Sequence, residues 1–215
     1  MCLYFIEVKI EKKITLLKKR LSKNLPGWES QKKMAVMPIN SVTRLAFIPP
    51  KNAKLSAVAI ILFIEHNKLK FLLTRRSSNV DHHKGQVSLP GGAQEKGESF
   101  RYTSLREAQE EIGISADLNL IGKLSPLYTP VSGFSIHPIV WFTEKRPKTI
   151  INKNEVESIY TIELDELENV NTLSSKSIKV KGIKMNAPSF KFNDCNCWGA
   201  TAMILSELKD CLAEV

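Results

Sequence analysis

The stretch GGAQEKGESFRYTSLREAQEEIGI, residues 91–114, is the part of the sequence most informative about the fold. Residues 99–112 contain neither glycine nor proline and are rich in helix formers, so we expect a helix there that ends at Gly113. The preceding residues 81–97 are rich in glycine, proline and polar side chains, and they predict a loop. The chain is therefore expected to present a helix directly after a glycine-containing loop.

Three glutamates share one face of this predicted helix. Glu110 and Glu111 follow Glu107 by three and four residues, which places all three carboxylates on the same side. Like charges at this spacing destabilise a helix unless a cation offsets them. Mg²⁺ and Mn²⁺ prefer hard oxygen ligands and bind a few carboxylates together with substrate phosphates. The three glutamates are therefore candidate metal ligands, although alone they equally suit an exposed acidic helix face.

The same residues resemble the Nudix box. Its pattern is Gly, five residues, Glu, seven residues, and then Arg-Glu-aliphatic-any-Glu-Glu-any-Gly-aliphatic. Every specified position is met, by Gly92, Glu98, Arg106, Glu107, Ala108, Glu110, Glu111, Gly113 and Ile114. A chance match to the fixed positions is on the order of 10⁻⁹ per starting point. The resemblance implies an α/β fold, a Nudix-type α/β/α sandwich with a mixed β-sheet and a loop-helix-loop metal site.

The resemblance also implies roles for these residues. It assigns Glu107, Glu110 and Glu111 to the metal, which is expected to be Mg²⁺ or Mn²⁺. It makes Arg106 an ion-pair partner that orients a glutamate, and Glu98 a supporting acid. The expected catalytic residues are then Glu98, Arg106, Glu110 and Glu111.

The expected reaction is hydrolysis of a diphosphate linkage. Bound cations neutralise the phosphate charge and lower the pKa of a water molecule that attacks phosphorus. The group that removes the proton from this water is left open between Glu111 and, outside the box, Glu155. His137 lies in an apolar stretch, and we interpret it as a core or pocket-wall residue rather than a ligand.

The segment LLTRRSSNVDHHKGQVSLPGG, residues 72–92, resembles the one that Nudix coenzyme A diphosphatases place before their box. Two family positions differ, since Asp81 replaces an arginine and Leu89 replaces a phenylalanine. A glycine-containing loop with several cations suits a phosphate-rich ligand. The expected substrate-binding residues are Arg75, Arg76, His82, His83, Lys84, Gly91 and Gly92.

Residues 25–35, 121–140, 154–167 and 197–208 extend this resemblance over most of the chain. It implies cleavage of coenzyme A or its derivatives to adenosine 3′,5′-bisphosphate and 4′-phosphopantetheine or its derivative. One alternative keeps the chemistry but changes the substrate to ADP-ribose, NADH or another nucleotide. A second alternative, motivated by the net charge of +9, is a non-catalytic nucleotide- or RNA-binding protein. The intact glutamates favour a small-molecule substrate, and no nucleic acid partner is expected.

The domain organisation follows from length and patterning. The 215 residues suit one catalytic domain over residues 51–215, preceded by an N-terminal extension, residues 1–50. The extension contains a basic amphipathic helix with its apolar face formed by Ile10, Ile14, Leu17 and Leu21. Four cysteines and a longest apolar run of residues 57–64 predict a cytoplasmic protein without disulfides or membrane spans. The oligomeric state is not readable, and a homodimer is one state that the sequence allows.

The other elements are predicted from periodicity. Residues 57–64 and 71–75 predict a hairpin, and residues 118–124, 137–142 and 159–164 predict further strands. Residues 198–212 predict a closing helix in which Trp198 and Met203 pack against the core. Cys195 and Cys197 are given no role. Hairpins mixed with helices argue against a purely parallel sheet.

Overall fold

The computed structural model of the protein describes residues 2–38, 47–78, 85–180 and 182–215. The helices within these ranges are α1 Cys2–Leu21, α2 Trp28–Gln31, α3 Phe100–Ile112, α4 Leu164–Glu168 and α5 Ala200–Leu212. The first six strands are β1 Met37–Pro38, β2 Lys54–Glu65, β3 Lys68–Arg76, β4 Val87–Ser88, β5 Gly91–Ala93 and β6 Asn119–Lys123. The last six are β7 Leu127–Thr129, β8 Phe134–Thr143, β9 Val156–Glu163, β10 Leu173–Val180, β11 Ile183–Lys191 and β12 Asn196–Trp198.

The main sheet has eight strands of mixed direction. Its central order is β4-β3-β2-β8-β6, while β5 pairs with β2, β7 with β8 and β9 with β3. The β2–β8 pair is parallel and the other pairs are antiparallel. The predicted hairpin of β2 and β3 is confirmed, and its turn residues His66 and Asn67 have positive φ angles of 51° and 60°. Such angles match the twist of hairpin strands, and asparagine tolerates them well.

Helices cover both faces of this sheet. On one face, Ile61 and Phe63 of β2 pack with Ala108 and Ile112 of α3. On the other face, the alternate β2 residues join a larger cluster that contains Leu17 of α1 and residues of α5. Burial of each such aliphatic side chain contributes about 1.5 to 3 kcal/mol. The chain is thus an α/β/α sandwich with a mixed sheet, as the sequence predicts.

Helix α1 of the N-terminal extension packs directly on the main sheet. The predicted apolar face is buried, with Leu17 inaccessible and Leu21 6% exposed. Leu21 lies against β6 at Gly122, where an added Cβ atom would come within 2.8 Å of the Leu21 Cβ. Glycine at this position therefore lets the helix approach the strand backbone. None of the helices in the described ranges is long and apolar enough to cross a membrane.

A second, four-stranded sheet is absent from the sequence prediction. It has the order β1-β11-β10, with β12 paired to β11. Two predicted boundaries are also wrong. The predicted loop over 81–97 contains β4 and β5, and Trp198 belongs to β12 because α5 begins only at Ala200. In both places short strands pair with another strand of the fold, and this pairing overrides the local pattern.

Candidate active site

The acidic helix α3 has well-defined ends. Ser99 is its N-cap, since the Ser99 hydroxyl accepts a hydrogen bond from the backbone N–H of Tyr102 at 3.2 Å. Gly113 ends the helix in the left-handed conformation, with φ of 53°, and its N–H bonds the Gln109 carbonyl. The predicted helix and its predicted stop are therefore confirmed.

The loop before α3 is held close to the helix by two glycines of β5. Gly91 and Gly92 pair with Val58 and Ala57 of β2. A Cβ atom at Gly92 would lie 2.4 Å from the Oε2 atom of Glu107, and one at Gly91 would lie 2.3 Å from the Ala57 carbonyl oxygen. A side chain at either position would therefore displace the loop or the Glu107 carboxylate.

Arg106 connects the loop to the glutamates of α3. Its Nε lies 2.7 Å from Glu98 Oε1, and its Nη2 donates to the Ala93 carbonyl at 2.9 Å. Its Nη1 lies 2.9 Å from Glu110 Oε2 and 3.0 Å from Glu107 Oε1. The hydrogen bonds from Arg106 lower the pKa of Glu98 to about 2. Arg106 therefore contacts Glu98 of the loop and two glutamates of α3, which suits the orienting role that the resemblance implies.

Glu111 is the most buried carboxyl group of the predicted set, with 2% of its surface exposed. Its Oε2 accepts a hydrogen bond from the Gly91 N–H at 3.2 Å, and Arg76 Nη1 lies 3.3 Å from its Oε1. Burial raises the pKa of Glu111 to about 7, against the opposing charge of Arg76, and the charges of Glu107 and Glu155 raise it further. Burial likewise raises the pKa of Glu107.

The carboxylates suit a divalent cation in their chemistry. They are hard oxygen donors. Burial and, to a smaller extent, repulsion by neighbouring carboxylates raise the pKa of Glu107 and of Glu111, and a bound cation would lower both again. Because Gly92 has no side chain, the Glu107 carboxylate can lie directly against its backbone. Within the described ranges, however, no three acidic, histidine or cysteine side chains already converge as a metal cluster. Glu107 and Glu111 are the carboxylates that would hold the ion, whereas Glu110 is paired with Arg106 at 2.9 Å.

Glu155 lies beside these carboxylates at the beginning of β9. Its charge acts on both Glu107 and Glu111, and its Oε1 accepts a hydrogen bond from the Asn152 amide at 2.9 Å. The backbone N–H of Asn152 in turn bonds the Glu111 carbonyl. Sequence reasoning missed Asn152, and no local signal marks it, because the contact depends on how the residues before β9 fold back onto α3.

The two arginines predicted to bind substrate lie on opposite faces of β3. Arg76 points toward Glu111 and α3, whereas the Arg75 guanidinium lies 5.5 Å from the ring centre of Tyr160. Neighbouring residues of a strand alternate between faces, so only one of two adjacent side chains can face α3. Gly91 and Gly92 lie beside the carboxylates on the Arg76 face.

The remaining predicted site residues fall in different places. His82, His83 and Lys84 lie outside the described residues. His137 of β8 stacks on Phe100, with ring centres 3.6 Å apart, and burial, followed by the charge of Lys123, lowers its pKa. This contact lies between the sheet and the start of α3, which agrees with the interpretation of His137 as a packing residue.

The pKa of Glu111 predicts how stability changes with pH in the absence of metal. In the folded protein the Glu111 carboxyl group keeps its proton up to about pH 7. In the unfolded chain it behaves as an ordinary carboxyl group with a pKa of 4.5 and loses the proton at lower pH. The free energy of unfolding should therefore fall as the pH rises from 4.5 to 7. In a chelator, we expect Glu111→Gln to be more stable than the wild type at pH 8 by roughly 2 to 3 kcal/mol.

The two proteins should be about equally stable near pH 4.5, because the wild-type carboxyl group is then neutral. Urea denaturation at both pH values measures the difference. A Glu111→Gln variant that is less stable than the wild type at pH 8 would contradict the assigned pKa.

A mixed sheet that presents a carboxylate-rich helix through a glycine-containing loop defines the class of protein as a hydrolase of the Nudix type. A family model described as "NUDIX domain" matches residues 53–180. The Uncharacterized Nudix hydrolase NudL of Pectobacterium atrosepticum is 33% identical over 161 residues, which cover 74% of this chain and 83% of that protein. The chain belongs to the Nudix family, whose hydrolases generally use divalent metals such as Mg²⁺ or Mn²⁺.

One further relative and one solved structure are also similar to this chain. Nudix hydrolase 3 of Caenorhabditis elegans is 29% identical over 163 residues, covering 74% of this chain and 67% of that protein. Among solved structures, the crystal structure of a Nudix hydrolase from M. smegmatis, RenU, is similar with a TM-score of 0.46 and 17% identity. That similarity covers 56% of this chain and 81% of the other.

Proposed function

We propose that this Nudix hydrolase cleaves the diphosphate linkage of coenzyme A or its derivatives. The products are adenosine 3′,5′-bisphosphate and 4′-phosphopantetheine or its derivative, and the ion is Mg²⁺ or Mn²⁺. One observation carries the proposal: Arg76, in the segment that resembles coenzyme A diphosphatases, contacts Glu111 of the box at 3.3 Å. This contact joins the two stretches of sequence that carry the separate resemblances, which supports a shared site.

The residues of the chain suggest how the reaction is organised. When bound, the cation neutralises phosphate charge and acidifies a water molecule. Arg76 is placed to neutralise a phosphate oxygen beside Glu111, and Arg106 fixes the loop through Glu98. Glu155, whose Oε1 accepts a hydrogen bond from the Asn152 amide, and Glu111 are the two candidates to accept the proton of the attacking water.

Product identification by mass spectrometry tests the proposal. The purified protein is incubated with Mg²⁺ or Mn²⁺ and with coenzyme A, ADP-ribose, NADH and a nucleoside triphosphate in parallel. We expect adenosine 3′,5′-bisphosphate and 4′-phosphopantetheine to form from coenzyme A faster than any other substrate is cleaved. Faster cleavage of ADP-ribose or NADH would overturn the choice of substrate and retain the Nudix chemistry.

A further inference from the structure

The second sheet carries a tryptophan that is covered by a cation. The Nζ atom of Lys176 lies 4.9 Å from the centre of the Trp198 ring. Lys176 pairs with Ala187 and Trp198 with Ser189, so both side chains stand on the same face of the sheet, across β11. Lys176 is exposed and Trp198 is partly exposed. Among the described residues, no carboxylate lies within ion-pair distance of Lys176.

Strand β4 connects this pair to the loop of the candidate active site. Strand β12, which contains Trp198, packs against β4. Strand β4 pairs with β3 at Thr74 and Arg75, and it ends at Ser88, three residues before Gly91. The tryptophan therefore lies on the strand next to the loop that carries the two glycines of the site.

The pair lies at and beyond the end of the common family domain. The family match covers residues 53–180, whereas β11 and β12 follow it. Diphosphate cleavage depends on the box within the matched range. Lys176 and Trp198 are therefore better candidates for selecting the substrate than for taking part in diphosphate cleavage.

Trp198 and Lys176 together suit a phosphorylated nucleoside. An indole ring can stack on a nucleobase, and a neighbouring ammonium group can neutralise a phosphate attached to the same nucleoside. Resting on the proposed function, we propose that the adenine of coenzyme A stacks on the Trp198 ring in place of Lys176, whose ammonium group then contacts the 3′-phosphate. The pair then determines specificity, because ADP-ribose and NADH contain adenine but lack that phosphate.

Equilibrium binding tests this inference independently of turnover. Titration calorimetry compares adenosine 3′,5′-bisphosphate with 5′-AMP, which lacks the 3′-phosphate. We expect Lys176→Met to raise the Kd of the bisphosphate roughly tenfold and to leave the Kd of AMP unchanged, because one charged phosphate contact is lost. Lys184→Met, at an exposed lysine of β11 in the same sheet, is the matched control and should change neither value.

The stacking part of the inference has its own variants. Trp198→Leu should raise the Kd of both nucleotides roughly tenfold, and Trp198→Phe, which keeps an aromatic ring and guards against a folding defect, should restore most of the affinity. Equal weakening of both nucleotides by Lys176→Met would overturn the phosphate contact. Unchanged affinities in Trp198→Leu would overturn the stacking.

Cleavage and binding measurements together distinguish failure of the proposed function from failure of this nucleotide site. If coenzyme A is not cleaved but Lys176→Met still weakens the bisphosphate selectively, the substrate assignment fails and the nucleotide site stands. If coenzyme A is cleaved and the Lys176 and Trp198 variants bind both nucleotides like the wild type, the proposed reaction stands and this site is wrong.

Discussion

Replacing Glu110 with glutamine is expected to lower kcat by on the order of a hundredfold or more, because one of the three carboxylates that the resemblance assigns to the metal is lost. The protein should remain folded. Glu110 lies on the outer face of α3, its side chain is 51% exposed, and its ion pair with Arg106 is a surface pair of the i,i+4 type. Such pairs contribute about 0.3 to 0.5 kcal/mol, so their loss leaves stability almost unchanged.

Steady-state kinetics over a range of Mg²⁺ and Mn²⁺ concentrations measures this effect. Glu144→Gln, which removes an exposed carboxylate at the end of β8, is the matched control and should keep the wild-type kcat. Partial recovery of the Glu110→Gln variant at high metal concentration would indicate weakened metal binding. A kcat within a factor of two of the wild type at all metal concentrations would remove Glu110 from the expected catalytic residues.

The parts of the site that could be predicted from the sequence are those determined by local spacing. Helix α3 and its end at Gly113 follow from composition and spacing within a single segment. The predicted shared face of the glutamates is met only in part, since Glu111 is buried whereas the Glu110 side chain is 51% exposed. The resemblance also implies that Arg106 orients a glutamate, and in the structure Arg106 lies within ion-pair distance of Glu98 and Glu107. Each of these features needs information from fewer than about two dozen neighbouring residues.

Other features depend on how one strand pairs with another. The β10–β11 hairpin was missed because LSSKSIKV, residues 173–180, alternates only weakly between apolar and polar residues. Trp198 was assigned to a helix since its spacing fits α5, yet pairing with Ser189 keeps it in β12. The contact of Glu155 with the box carboxylates likewise depends on the placement of β9 against β3. Periodicity within one segment cannot distinguish these outcomes.

Glu207 of α5 connects the N-terminal extension to the rest of the protein. Its side chain is completely buried, and it accepts hydrogen bonds from the Gly27 N–H at 3.1 Å and the Ser125 N–H at 3.2 Å. The side-chain amide of Gln31 donates to its other oxygen at 2.9 Å. The Glu207 carboxylate thus links α5 by hydrogen bonds to two residues of the extension and to the residues between β6 and β7.

Glu207→Ala should therefore lower the free energy of unfolding by about 3 kcal/mol or more, because each buried donor left without a partner costs about 1 to 3 kcal/mol. Glu207→Gln keeps one acceptor oxygen toward the same donors, so its loss should be smaller. Urea denaturation of both variants, with Glu144→Gln as an exposed control, measures the change. Limited proteolysis should then cut first near Gly27 in Glu207→Ala, since that backbone loses its tether. A Glu207→Ala variant as stable as the wild type would show that the extension is held by the apolar contacts of α1 alone.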